Sequence, residues 1–173
     1  MHRKNIYIIF VIKSNNTVIM FDLSYKYKRP TTLFGTQNAK TIKGEKLGYT
    51  TFILYMSPEK QNTSGKNLCA HASEGCKAAC LFTAGRGAFS NVMTGRLNKT
   101  EYFLREKALF LEQVYNEVAK GYKKHGKALA VRLNGTSDIP YENIKIKDNK
   151  NIMELFPDVQ FYDYTKDFSR MLK

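Results

Sequence analysis

Three stretches of the chain are apolar in the manner of strands, and one is apolar at helical spacing. TTFILYM, Thr50 to Met56, gathers β-branched and aromatic residues and stops at Ser57 and Pro58, which reads as a buried strand. ALAVRLNG, Ala128 to Gly135, alternates so that Leu129, Val131 and Leu133 share one face while Arg132 takes the other, and it breaks into the polar loop NGTSD. VQFYDYT, Val159 to Thr165, is a third strand. Between the first two, Phe103, Phe110, Leu111, Val114, Val118 and Tyr122 recur at helical spacing. They predict one long amphipathic helix from about Thr100 to Tyr122, with Thr100 as its N-cap. A short helix is expected over Asn151 to Leu155, ahead of Pro157. Strands separated by helices imply right-handed parallel crossovers. The fold class is therefore α/β, with parallel strands alternating with helices in an open sheet or a partial (β/α) barrel.

Upstream the pattern is weaker. Ser24 to Leu47 carries Pro30, Gly35 and Gly44 among polar residues and is expected to be turn-rich and partly extended. The apolar run Ile6 to Ile12 follows basic residues, but Lys13 closes it at once and no small-residue cleavage site follows. It is too short for a membrane helix and reads as a strand. Two regions result: a basic N-terminal extension over residues 1–46 containing one strand, and an α/β domain over residues 47–173.

Charge changes the picture of partners. Lys and Arg outnumber Asp and Glu by 28 to 15, a formal charge of +13, and this excess favours a polyanionic partner such as nucleic acid. The lysines are scattered, so charge alone does not name the nucleic acid.

Cysteine usage changes the picture of chemistry. All three cysteines lie in CAHASEGCKAAC, residues 69–80, spaced C-x6-C-x3-C with His71 beside the first. An odd, clustered set argues for a reducing cytoplasm rather than a secreted disulfide framework. Four readings stand. Cys69, His71, Cys76 and Cys80 supply the four ligands of a structural zinc site, although structural sites normally use two separated ligand pairs. Alternatively Cys69, Cys76 and Cys80 hold a 4Fe-4S cluster with its fourth iron open, the position at which S-adenosylmethionine is bound in radical S-adenosylmethionine enzymes. The usual spacing there is C-x3-C-x2-C, from which this segment departs. Inert buried thiols and a Cys76–Cys80 redox pair are the remaining readings.

In parallel α/β folds, ligands gather at the carboxyl ends of strands. The cysteine loop follows the first strand, Asn134, Ser137 and Asp138 follow the second, and Asp163 and Lys166 end the third. These groups are expected to converge on one rim. Asn134 and Ser137 would bind a cofactor, Asp138, Asp163 and Lys166 would act in catalysis, and Arg86, between two glycines, would reach a phosphate. Arg132 is expected either to point into a barrel or to pair with an acid, for which Asp163 is the candidate.

The stretches LGYTTFILYMSP, NLCAHASEGCKAACLFTAGRGAF, VRLNGTSDIPYE and LFPDVQFYDYTKD resemble the phage family called gene product 88. The resemblance spans most of Leu47 to Asp167, and its most specific block is Cys69 to Gly87. It implies a phage or prophage origin and a location in the host cytoplasm, and it brings no biochemical activity with it. Members of the family continue past the YDYTK block into at least one further strand. The chain, ending at SRMLK, is accordingly expected to be shortened and to leave a sheet edge exposed. A more distant similarity, to radical S-adenosylmethionine proteins, rests on topology and on three cysteines. The leading expectation is an iron–sulfur protein of that type acting on nucleic acid or a nucleotide; the alternative is a basic nucleic-acid-binding protein whose cysteine loop holds zinc for structure.

Overall fold

The computed structural model describes residues 22, 24–36 and 39–171. The strand expected at Ile6–Ile12 lies outside them. Among the described residues, four strands form one open sheet in the order β1-β2-β3-β4, with β1 at Phe34–Gly35, β2 at Thr50–Leu54, β3 at Leu129–Arg132 and β4 at Gln160–Phe161. β2, β3 and β4 are parallel, and β1 runs antiparallel to β2. The α/β class holds, and of the two architectures expected the open sheet is the one adopted.

Strand alternation sorts the two faces. Thr51 pairs with Ala130 and Ile53 with Arg132, so these four share one face, while Phe52 and Val131 pair on the other. The second face builds the core: Leu54, Leu129, Val131 and Leu133 join Phe110, Leu111, Val114 and Val118 of the helix α4, Lys107–His125. The first face is covered at its amino end by α1, Ala39–Glu45, where a Cβ on Gly44 would lie 2.8 Å from Thr51 Oγ1. That helix falls inside the stretch expected to be turn-rich. No proline or strong apolar period marks it, and its close approach to β2 is what makes it stable.

The single helix expected from Thr100 to Tyr122 is two. α3 runs Ser90–Arg105, α4 begins at Lys107, and Glu106 between them has φ −133° and ψ 51°, outside the helical region. The break lets the adjacent rings of Tyr102 and Phe103 both meet Phe110 edge-on, at 5.5 and 5.3 Å between centroids. Glu106 is meanwhile held by an ion pair with Arg29. Thr100 is no N-cap: it is fully buried inside α3, where its hydroxyl donates to Arg96 O at 3.1 Å and accepts from Ser57 N at 2.8 Å.

α4 ends at Gly126, whose φ of 54° suits glycine. Glu101, buried in α3, accepts from Thr63 N and Oγ1 at 2.7 Å each and from Arg105 at 2.8 Å, pinning the loop that precedes the cysteines. The short helix expected near residue 151 is α5, Ile152–Leu155, with Asn151 and Glu154 forming a reciprocal capping box. β4 is much shorter than VQFYDYT predicts. Tyr162 N still reaches Val131 O at 3.1 Å, but Asp163 turns its carboxylate onto Asn134 and the ladder stops.

Candidate functional site

A cavity of about 550 Å³ opens at the carboxyl ends of β2, β3 and β4. It has two walls of different construction. One is the cysteine loop. Ser73 caps the short helix α2, Glu74–Ala78, by accepting from Cys76 N at 3.2 Å, so that Cys76 sits in its first turn and Cys80 just beyond its end. Cys69, Cys76 and Cys80 all line the cavity as free thiols. Burial pushes the Cys69 thiol above its ordinary range, an effect opposed by the Glu59 N–H and reinforced by the neighbouring Cys80, Asp138 and Cys76. Cys69 Sγ also lies 3.9 Å from the carbonyl of Thr136, which ties the first thiol to the opposite wall.

The other wall is the NGTSD loop and the segment after β4. Asn134 is its hub. Its Nδ2 donates to Ile139 O at 2.9 Å and to Asp163 Oδ2 at 2.8 Å, while its Oδ1 accepts from Ile139 N at 2.8 Å and Ser137 Oγ at 2.9 Å. Gly135 lets this loop lie flat on β2: a Cβ there would stand 2.6 Å from Tyr55 Cδ1 and 2.8 Å from Leu54 O. Asp138 accepts from Thr165 Oγ1 at 3.1 Å and Lys166 N at 3.0 Å, and it forms an ion pair with Arg170. Arg170 also holds Glu142, so α6, Phe168–Met171, is bolted to the rim. Desolvation raises the Asp163 carboxyl above the usual range, against the pull of hydrogen bonds from Tyr164 N and Asn134 and of the Arg132 charge.

The sequence expectations thus divide. Asn134, Ser137, Asp138, Asp163 and Lys166 do line one cavity with Cys69, Cys76 and Cys80. His71 and Arg86 are not among its lining residues. His71 is 55% exposed and turned to Asp167 at 3.4 Å, and Arg86 is exposed on a 3-10 turn over Gly85–Ala88. Arg132 faces Asp163 as expected, at 3.6 Å. Asn134, Ser137 and Asp138 spend their hydrogen bonds on the protein, which makes them builders of the wall. Arg170 went unnoticed in the sequence because its acid partners lie 28 and 32 residues away with no local pattern to link them. Arg96 was missed too: it lies between the rings of Tyr55 and Phe82, at 5.3 and 5.1 Å, and donates to Phe82 O at 2.6 Å.

A family model described as Gene product 88 matches residues 31–173. The chain belongs to this phage protein family. The match takes in β1, α1 and both walls of the cavity, so the cavity is built wholly from residues within the gene product 88 region. Comparison with curated proteins and with solved structures found no match. Among the described residues, no helix is long and apolar enough to cross a membrane.

Proposed function

We propose that the cavity is a catalytic site in which Cys69, Cys76 and Cys80 hold a 4Fe-4S cluster whose fourth iron takes S-adenosylmethionine, and that it acts on nucleic acid or a nucleotide in the host cytoplasm. The observation that carries this reading is the convergence of three free thiols, without a fourth cysteine, on one cavity at the carboxyl ends of parallel strands. The donor set suits the group, since iron–sulfur clusters are held by thiolates and a missing fourth ligand leaves a coordination position for a small molecule. Among the described residues, no three His, Cys, Asp or Glu side chains stand close enough together to hold a metal as they are, so the cysteine loop would have to draw inward to hold either a zinc or a cluster. The zinc reading also needs His71 as its fourth ligand, and that side chain is directed at Asp167.

When bound, such a cluster supplies single electrons for radical chemistry on the cofactor beside it. The chain's own residues do the rest. The cysteine loop offers the thiols, of which Cys69 must lose its proton against the effect of burial. Asn134 and Asp138 fix the facing wall, and Asp163 and Lys166 border the space left for substrate.

Anaerobic reconstitution with iron and sulfide tests the proposal. The expected result is about four irons per chain and a broad absorption near roughly 400 nm that is lost in Cys76→Ala, as thiolate-to-iron charge transfer requires. A colourless protein that carries one zinc after the same treatment rejects it.

A further inference from the structure

We propose that Arg132 anchors an oxyanion, a carboxylate or a phosphate, on the ligand that fills the cavity. This rests on reading the cavity as a ligand site and is independent of any metal. Arg132 ends β3, lines the cavity, and has a side chain only 11% exposed. Asp163 does not satisfy it. The Nε stands 3.6 Å from Asp163 Oδ1, beyond hydrogen-bond reach, and this buried N–H has no acceptor.

Asp163 is committed elsewhere, its Oδ2 accepting from Asn134 N and Nδ2 at 2.9 and 2.8 Å and its Oδ1 from Tyr164 N at 3.0 Å. Asp138, the other acid of the cavity, is neutralised within the wall by Arg170. Asp163 offsets the Arg132 charge from 3.6 Å without bonding to its Nε, and Lys166 adds a second cation to the same lining. A guanidinium presents its donors in a rigid planar fork that matches a carboxylate or phosphate, and a buried charged donor without an acceptor is unfavourable until one arrives.

Tyr164 completes the arrangement. Its ring lies over the Arg132 guanidinium at 4.7 Å while remaining 71% exposed, so the cation is shielded from bulk water on one side. Arg96 also has a buried Nε–H without an acceptor, but it does not line the cavity.

The test uses the full chain, and in parallel a Cys69→Ser/Cys76→Ser/Cys80→Ser variant, so that absence of a cluster and absence of an anion site are told apart. Inorganic phosphate and acetate are titrated against chloride at matched ionic strength, by calorimetry and by following the Arg Nε–H resonances in NMR. Saturable binding of one anion is expected, with one buried Arg Nε–H resonance moving along the same isotherm in both proteins. Tighter phosphate marks a phosphorylated ligand and tighter acetate a carboxylate. Arg132→Gln is expected to weaken binding at least about tenfold, and Arg132→Lys, which keeps the charge and loses the fork, to weaken it less. A Lys120→Gln/Lys124→Gln control on the exposed end of α4 should change nothing. The proposal is overturned if neither anion saturates against chloride, if the lysine control weakens binding as much as Arg132→Gln, or if binding proceeds with no Arg Nε–H resonance moving.

Discussion

Asn134→Asp replaces one donor group by an oxygen of the same size and so tests the hub of the cavity wall alone. In the native chain the Asn134 amide donates to Ile139 O and to the Asp163 carboxylate, at 2.9 and 2.8 Å. In the variant both contacts become oxygen against oxygen. Losing a neutral hydrogen bond costs about 1 kcal/mol and a charge-assisted one about 2 kcal/mol. Two carboxylates at this separation add about 1 kcal/mol more once one of them takes up a proton to relieve the repulsion. The sum at neutral pH is about 4 kcal/mol. With a urea m-value of about 2 kcal/mol/M, the midpoint should fall by about 2 M.

The deficit must also depend on pH, with a definite sign. Burial already raises the Asp163 carboxyl, so near its pKa the folded chain binds more protons than the unfolded one, and stability declines as pH rises through that range. A second carboxylate at position 134 widens the range. As pH falls through the raised pKa, one shared proton restores a donor between the two side chains. The gap between variant and wild-type midpoints should therefore shrink by at least about half between pH 7 and pH 4.5. Urea titrations at the two pH values, followed by circular dichroism, decide it. A gap of the same size at both refutes the electrostatic argument, and no gap at pH 7 refutes the role of Asn134 as hub.

Two further predictions follow from contacts at the same rim. Gly135→Ala places a methyl 2.6 Å from Tyr55 Cδ1, 2.8 Å from Leu54 O and 2.9 Å from Ile53 Cγ2, and should cost about 2 kcal/mol as the loop is forced off β2. The melting temperature should fall by about 4–8 °C, whereas Gly95→Ala, which meets nothing within 4 Å inside α3, should leave it unchanged or raise it. In the metal-free protein, the rate of Cys69 alkylation by iodoacetamide should rise with pH along a curve displaced upward from that of an unstructured cysteine peptide. Burial disfavours its thiolate, and peptide mapping after timed quenching provides the measurement.

Legibility in the sequence followed the range of the physics. The strand β2 was readable because β-branched and aromatic residues run together up to Ser57 and Pro58, β3 because its apolar residues repeat every second position, and the short helix α5 because Pro157 closes it. Their order located the cavity rim, since side chains at the ends of parallel strands must converge whatever their partners are. The split between α3 and α4 was not readable. Tyr102, Phe103 and Phe110 satisfy a continuous helix as well as a broken one, and the choice depends on ring packing in the core and on Arg29 reaching Glu106. The assignment of His71 failed to converge with the thiols for a related reason. Sequence distance places it two residues from Cys69, but the turn in which Ala72 N reaches back to Cys69 O at 3.0 Å leaves the imidazole outside, opposite Asp167.

The two walls of the cavity differ in how firmly they are held, and this bears on how a ligand would be taken up. The wall of Asn134, Asp138 and Asp163 is cross-linked by buried hydrogen bonds and by the Arg170 ion pairs, so Arg132 stands on a rigid base. The thiol wall is lighter. α2 has no buried residue, and the loop is fastened by the Lys77–Glu59 and His71–Asp167 pairs, each at 3.4 Å, and by the contacts of Cys69. Solvent-screened contacts of this kind hold a loop only weakly. The cysteine loop is therefore the part that would adjust if its thiols were drawn onto a metal centre, while the strand ends stay in place.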